Sequence, residues 1–349
     1  MEETRATGVP AELGELLAEL DGRAATREEA RRLFELTLGD PEREPKAWVG
    51  AAGGAAHPEA LDALCAAAAR VRDREMAGRE EAEAGLNSVI PCYLRPLCRY
   101  CPYWRQADSH PMPLDELLGY VRYLHDETGI RQFHLSGGSK RGGGDCGIVG
   151  IVEAIRAAGY DDMDVIVNCG ASMSDADLSR LAGLRVKRVF SVFETTNPEV
   201  FRAAKPGDDL DEKLDFARRI AAAGIEVGTG MMAGLGPVES KYDDYVRTLF
   251  DIAALPRLGA MYISKFRHAP HIAMNDHPEC ALDEARALIA VARLVLRDVH
   301  IRAAAGWRPT ERRAAHDAGS GSLTASLMFP PPKPGERSCW DDAPAPVAR

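Results

Sequence analysis

Three of the eight cysteines fall within ten residues, in the run Cys92-Tyr93-Leu94-Arg95-Pro96-Leu97-Cys98-Arg99-Tyr100-Cys101. Three thiolates on one short loop can ligate three irons of a [4Fe–4S] cube and leave the fourth iron open to an external ligand. The same run admits a structural zinc with His110 as fourth ligand. Such sites usually close with a second CxxC or HxxxH half, and the chain has none. Three unligated cysteines are the third reading. Cys280 and Cys339 have no close cysteine neighbours, so a second cluster has no support.

Further along, Leu135-Ser136-Gly137-Gly138-Ser139 closes a strand-like run, and glycines there let backbone approach a ligand closely. A phosphate-binding Walker loop is excluded because Gly-Lys-Ser/Thr is missing; Gly142, Gly143 and Gly144 read as loop mobility. Glu194 opens Glu194-Thr195-Thr196-Asn197-Pro198, where a carboxylate suits ribose hydroxyls or an ammonium, or simply a helix start. Gly228-Thr229-Gly230-Met231-Met232 places glycines inside a strand, which weakens it unless something must come close. Met231 and Met232 are also natural core residues. Lys213 sits inside a helical pattern, where a solvated lysine is the plain alternative. Asn168, Tyr262, Lys265, Arg267 and His268 fall at or just past strand ends and could line a substrate cavity, with Arg267 and His268 gripping a carboxylate or phosphate. Cys146 and Cys169 could donate a hydrogen atom to a substrate radical, or be ordinary buried cysteines.

The elements that must position these residues alternate. Residues 1–85 read as helices, Ala11–Leu20, Thr26–Leu38 with a Thr26/Glu29 capping box, and His57–Glu83. Strand patterns follow at Asn87–Ile90, Gln132–Ser136, Asp164–Cys169, Val186–Phe193, Ile225–Ala233, Ala260–Lys265, His300–Ala304 and Leu323–Met328. Helical patterns lie between them at Leu114–Glu127, Ile148–Ala158, Ser174–Ala182, Leu210–Ala223, Tyr242–Leu255, Leu282–Arg297 and Pro309–Ala318. Strands each followed by a helix mean parallel pairing. The expected fold is α/β: a closed (βα)8 TIM-type barrel over residues 86–329, an N-terminal helical extension over 1–85 and an irregular Pro-rich tail over 330–349. An open doubly wound sheet is the competitor. In a barrel, the cysteine loop lies at the C-terminal face, where active sites are built.

The net charge of −10 argues against a nucleic-acid groove, and no run approaches the roughly 18 apolar residues of a membrane helix. An acidic start fits neither a secretory signal nor a transit peptide. Eight cysteines without such a signal point to a reducing, cytoplasmic setting.

The Cys–x5–Cys–x2–Cys loop after strand one, with Tyr100 before the last cysteine, resembles that of the radical S-adenosylmethionine (SAM) superfamily. The usual spacing there is Cys–x3–Cys–x2–Cys; the longer one is similar to HmdB-like proteins, within the group of biotin synthase, HydE and PylB. The resemblance runs from near Thr26 to about Pro334. It implies a [4Fe–4S] cluster on Cys92, Cys98 and Cys101, and SAM held near Tyr100, by Ser136, Gly137 and Gly138 at its amino group, by Glu194 and Lys213, and beside Met231 and Met232. The usual Glu after the glycines is absent. Reductive cleavage of SAM to a 5′-deoxyadenosyl radical then acts on a small-molecule substrate, with a flavodoxin or ferredoxin as electron donor and no nucleic-acid or membrane partner. The HmdB-like spacing favours methylation or carbon–carbon bond formation in cofactor or metabolite biosynthesis. A PylB-like mutase or lyase is the enzymatic rival, and a non-catalytic zinc- or cluster-stabilised scaffold the rival from another class.

Overall fold

The computed structural model describes residues 8–39, 55, 57–77, 79, 83–105, 110–144, 146–170, 173–321 and 327–329. Eight strands make one sheet: β1 (Ala84–Leu86), β2 (Gln132–Gly137), β3 (Asp164–Cys169), β4 (Arg188–Phe190), β5 (Glu226–Ala233), β6 (Leu258–Lys265), β7 (His300–Ala303) and β8 (Leu327–Phe329). Their order is β7-β6-β5-β4-β3-β2-β1-β8, and every neighbouring pair is parallel. This is the order of a barrel cut between β7 and β8. A doubly wound sheet would reverse direction at a switch point, and none occurs. The ladder is therefore a partial TIM-type barrel, not the closed ring expected, because β7 and β8 each pair on one side only among the described residues.

Parallel neighbours need crossovers. The helices are α1 (Ala11–Leu20), α2 (Arg27–Leu38), α3 (Pro58–Glu75), α4 (Leu114–Tyr123), α5 (Ile148–Ala157), α6 (Asp175–Gly183), α7 (Pro198–Ala204), α8 (Leu210–Ala222), α9 (Lys241–Ala253), α10 (Leu282–Val295) and α11 (Arg312–Asp317). The capping box of α2 is present: Thr26 accepts from the Glu29 N–H at 3.3 Å, and Glu29 accepts from the Thr26 N–H at 2.8 Å. α10 is buried around nearly its whole circumference because α2 and α3 lie on its outer side. Phe34 stacks on Tyr242 of α9 at 5.2 Å, and the Ala25 N–H reaches the Leu294 carbonyl at 3.0 Å. No described helix is long and apolar enough to cross a membrane.

Several expected boundaries move. The first strand is Ala84–Leu86, not Asn87–Ile90, so the boundary at 85/86 cuts through it, and α3 stops at Glu75. β4 is shorter than Val186–Phe193 because the chain turns away toward Glu194, which keeps only an isolated bridge to Met231. α7 was not anticipated, although Asn197-Pro198 is a strong start signal. The Asn197 side chain accepts from the N–H groups of Glu199 and Val200, with proline at the first helical turn. The last strand runs Leu327–Phe329, while the tail 330–349 lies outside the described residues.

Inside the barrel, Ile166, Phe190, Ala260 and Tyr262 form a second small core with Val192 and Ala304 against it. A Cβ on Gly228 would sit 2.5 Å from the Phe190 ring, so glycine in that strand makes room for an aromatic plug.

Candidate active site

A cavity of about 320 Å³ opens where the strands end. Cys92, Cys98 and Cys101 all line it, each partly exposed. Their loop is fastened to the end of β2 by backbone bonds, Val89 N–H to the Ser136 carbonyl (3.0 Å), Gly138 N–H to Ile90 (3.0 Å) and Tyr93 N–H to Ser139 (2.8 Å). The approach is so close that a Cβ on Gly138 would stand 2.2 Å from Cys92 Cα and 2.3 Å from its nitrogen. Arg105 donates to the carbonyls of Leu97 (3.2 Å) and Cys98 (2.8 Å) and holds the loop from its other end. Burial pushes the Cys101 thiol up to about 12 and raises Cys98 as well. Cys98 and Cys101 are therefore neutral thiols in the free loop, and metal binding at them must release protons.

Beside the cysteines, Glu194 sits at φ 68°, a left-handed conformation uncommon outside glycine, and is held there by backbone bonds from its N–H to Gly230 (3.1 Å) and to its carbonyl from Met232 (3.0 Å). Tyr100 donates to Glu194 Oε1 at 3.2 Å, while Oε2 is buried without a partner. Burial raises the Glu194 carboxyl, opposed by Lys205, Tyr100 and Lys213. Ser136 Oγ and Asn87 Oδ1, also on the cavity wall, are likewise buried and unpartnered. Buried polar atoms without partners are costly and rare, so three around one cavity mark a place for a polar ligand. Lys205 lines the cavity and bonds the Val192 carbonyl (3.0 Å) and Asp208 (3.0 Å); Lys213 lies behind it, on Gly170 O (3.1 Å) and Asp208 (3.3 Å). Burial and the Lys205 charge lower Lys213. Burial also works against Lys205, but Asp208, Cys98 and Glu194 outweigh it and keep that ammonium charged.

The floor is a buried ionic network. Tyr262 spans the interior, packed 4.5 Å from Phe190, and donates to Glu83 Oε1 at 2.7 Å. Arg302 lies 2.9 Å from Glu83 Oε2, His134 lies 3.5 Å from Oε1, and Arg302 donates to His300 at 2.6 Å. Burial disfavours the Glu83 charge, but Arg302, His134 and the Tyr262 hydroxyl outweigh it and hold the carboxyl at about 2.

Residues 92–249, beginning at the first cysteine of the loop, match the radical SAM superfamily. The matched stretch is a domain of that superfamily. Its members are enzymes that use SAM and an iron–sulfur cluster, act on small-molecule or peptide substrates and need a reductant. The chain is 25% identical over 240 residues to an uncharacterized protein of Methanocaldococcus jannaschii, covering 67% of this chain and 62% of that relative's length. Among solved structures it is similar in fold to methylornithine synthase (PylB), with a TM-score of 0.69 at 16% identity over 90% of this chain and 85% of that one. It is also similar to the FeFe-hydrogenase maturase HydG from Carboxydothermus hydrogenoformans, with a TM-score of 0.70 at 19% identity over 91% and 70%.

The donor set of this radical SAM protein fits a cluster better than zinc. Among the described residues no three His, Cys, Asp or Glu side chains converge on one point as a single ion requires, whereas a cluster takes each thiolate at a separate iron. His110, the candidate fourth zinc ligand, is exposed and off the cavity wall. Of the residues expected around SAM, Tyr100, Ser136, Gly137, Gly138, Glu194 and Met232 line the cavity, while Met231 is buried away from it and Lys213 stands one layer back. Asn168, Tyr262, Lys265, Arg267 and His268 also line it. Lys265 is already paired with Glu311 at 2.8 Å and the His268 ring bonds the His277 carbonyl at 2.7 Å, so an anion grip by those two requires these contacts to break.

Cys146 and Cys169 correct the expectation of a hydrogen donor. Both are buried off the cavity wall, and Cys169 Sγ donates to the Leu135 carbonyl at 3.5 Å. Cys169 takes the face of β3 opposite cavity-lining Asn168, and Cys146 lies in the loop before α5, so neither thiol opens onto the cavity. Asn87, Lys205, Asp208 and Glu83 were missed by sequence reasoning. Asn87 and Glu83 flank a strand that the pattern placed three residues late.

Gly138→Ala tests the fit of the loop. The added methyl collides with Cys92 backbone, which cannot yield without moving the loop. Iron affinity after anaerobic reconstitution is expected to fall about 10–100-fold while far-UV circular dichroism is unchanged. Wild-type iron retention would refute the tight docking of loop on β2.

Proposed function

We propose that Cys92, Cys98 and Cys101 hold a [4Fe–4S] cluster, that SAM lies against Ser136–Gly138, Glu194 and the Lys205/Lys213 pair, and that the protein methylates, or forms a carbon–carbon bond on, a small molecule in cofactor or metabolite biosynthesis. The observation that carries this is the convergence on one cavity of three thiols and three unpartnered buried polar atoms, on Asn87, Ser136 and Glu194. When bound, the cluster and SAM supply a 5′-deoxyadenosyl radical by one-electron cleavage. The chain does the rest. Glu194, fixed by the Tyr100 hydroxyl, accepts from the ligand's N–H or O–H groups, and Lys205 and Lys213 present positive charge to a carboxylate. The glycines at 137 and 138 let the backbone come within contact distance. Tyr262, with Phe190 beneath it, closes the floor and keeps water from entering through the barrel interior.

The choice of methylation or bond formation is supported by the five-residue first spacing of the loop. The same reading takes residues 84–329, beginning two residues before the expected boundary, as a (βα)8 unit, the residues before Ala84 as a helical extension and 330–349 as a tail, working in a reducing, cytoplasmic compartment with a one-electron donor protein. Incubation with reductant, methyl-labelled SAM and a small-molecule extract tests the chemistry. Label carried into a product supports methyl transfer. An unlabelled isomer of a consumed molecule, formed with 5′-deoxyadenosine, would replace this reading with a skeletal rearrangement.

Glu194→Gln keeps the shape and removes the charge. Loss of a charge-assisted hydrogen bond, about 1.5–3 kcal/mol, is expected to weaken SAM binding by about 10–100-fold in isothermal titration of the reconstituted protein. Unchanged affinity would remove Glu194 from the SAM site.

A further inference from the structure

Besides β2, the cysteine loop has a second neighbour, the turn between α7 and α8. Gly207 of that turn packs on Arg95 and Pro96, which lie in the five-residue spacer between Cys92 and Cys98. A Cβ on Gly207 would stand 2.1 Å from the Pro96 carbonyl oxygen and 2.9 Å from the Arg95 carbonyl carbon, so the two segments meet this closely only at glycine. On the other side of Cys98, the Arg99 N–H donates to the Ala204 carbonyl at 2.8 Å. Cys98 is thus bracketed by two contacts to one turn, and the same two contacts bracket Lys205. The turn is itself tight: the Asp208 N–H donates to the Lys205 carbonyl at 3.0 Å, and the Asp209 N–H donates to Asp208 Oδ1 at 3.0 Å.

This docking brings a fixed ion pair to the thiols. The side chains of Lys205 and Asp208 are both buried and stand 3.0 Å apart. Lys205 lines the same cavity as Cys98, and its ammonium is fixed further by the Val192 carbonyl at 3.0 Å and by the Phe201 ring at 5.0 Å. Lys213 shares Asp208 from one layer back, at 3.3 Å. Burial raises the Cys98 thiol; of the charges acting on it, Lys205 favours the thiolate most and Asp208 opposes it. From Ala84 through Gln106 the sequence has no Asp or Glu, so the carboxylate acting at Cys98 comes from the neighbouring turn.

We propose that Lys205 and Asp208 are a potential-setting pair: the Lys205 ammonium makes a cluster on Cys92, Cys98 and Cys101 easier to reduce by one electron, and Asp208 limits that gain. The proposal rests on the reading of the loop as cluster-bearing. Reduction moves one electron from the donor to the cluster, makes or breaks no bond, and leaves one more negative charge among the thiolates. A neighbouring cation stabilises that charge and a neighbouring anion opposes it, and net charge is among the levers that set such potentials. Both side chains are buried, where water and salt screen little. This role is distinct from presenting charge to the SAM carboxylate, because it operates with SAM absent. It also gives the long spacer a purpose, since Arg95 and Pro96 are the residues that seat on Gly207 and bring the turn to Cys98.

The test is an anaerobic redox titration of the full-length reconstituted protein without SAM, read by electron paramagnetic resonance of the reduced cluster. At the potential where wild type is half reduced, Lys205→Met is expected to lower the reduced-to-oxidised ratio at least about tenfold, a shift of about 59 mV to more negative potential. Lys205→Arg keeps the charge and should titrate close to wild type. Asp208→Asn is expected to move the ratio the opposite way, toward easier reduction. Iron content and far-UV circular dichroism establish that each variant is loaded and folded. Should Lys205→Met fail to take up iron, Asp208→Asn decides alone: a positive shift supports the pair and an unchanged potential overturns it. Loaded variants at the wild-type potential, or Lys205→Met and Asp208→Asn shifting in the same direction, also overturn it while leaving the cluster reading intact. A wild-type protein that takes up no iron overturns both.

Discussion

Cys98→Ala is expected to leave the anaerobically reconstituted protein colourless and almost free of iron, with 5′-deoxyadenosine release at background. Cys98 is the middle cysteine of a loop whose two ends are fixed to β2 and by Arg105. The structure offers no replacement donor: among the described residues the remaining cysteines, Cys65, Cys146, Cys169 and Cys280, are buried off the cavity wall. Removing a half-exposed thiol costs the fold little, so Tm should move by only about 2–4 °C. Iron and product analysis beside a melting curve read both halves. A variant that keeps its iron and its 5′-deoxyadenosine would remove Cys98 from the ligand set, and one that unfolds would show the loop to be a structural element instead.

The largest stability effect is expected at Glu83. Its carboxylate faces Arg302, Tyr262 and His134 together beneath the cavity. Glu83→Gln leaves the Arg302 guanidinium buried without its counter-charge, which costs about 3–5 kcal/mol. A drop of that size in urea unfolding is the expected result; a loss below about 1 kcal/mol would mean the network is hydrated and screened. The pH dependence follows from the depressed carboxyl. A group ordinarily at 4.5 and held at about 2 contributes stability that is fully present above 4.5 and is lost as pH falls through about 2. The gap between wild type and variant should stay flat from about pH 5 to about pH 8 and narrow only on acidification.

Much of this architecture was legible because parallel strands covered on both faces read as continuous apolar runs. Asp164–Cys169 is matched residue for residue, and β2, β5, β6 and β7 fall within two residues of their patterns. The cysteine loop, Ser136–Gly138 and Glu194 were legible because glycine, cysteine and an acid before Asn-Pro stand out from any core pattern. The rest was hidden for physical reasons. β1 is three residues long, Ala84-Gly85-Leu86, and its small side chains carry no alternation. Closure between β7 and β8 depends on pairing across the whole chain, which no local pattern encodes. Cys169 was misread because sequence position at a strand end does not say which face of the sheet a side chain takes. Asn168 points into the cavity, and its neighbour Cys169 therefore points out. Glu83 and Arg302 are far apart in sequence, and only the barrel brings their charges together.

Anaerobic incubation of the reconstituted protein with SAM and dithionite, followed by mass analysis of the nucleoside released, tests the central claim most directly. The account predicts 5′-deoxyadenosine from the wild type, dependent on reductant and absent from the Cys98→Ala variant. A brown, iron-loaded protein that binds SAM yet releases no 5′-deoxyadenosine under reduction would contradict it.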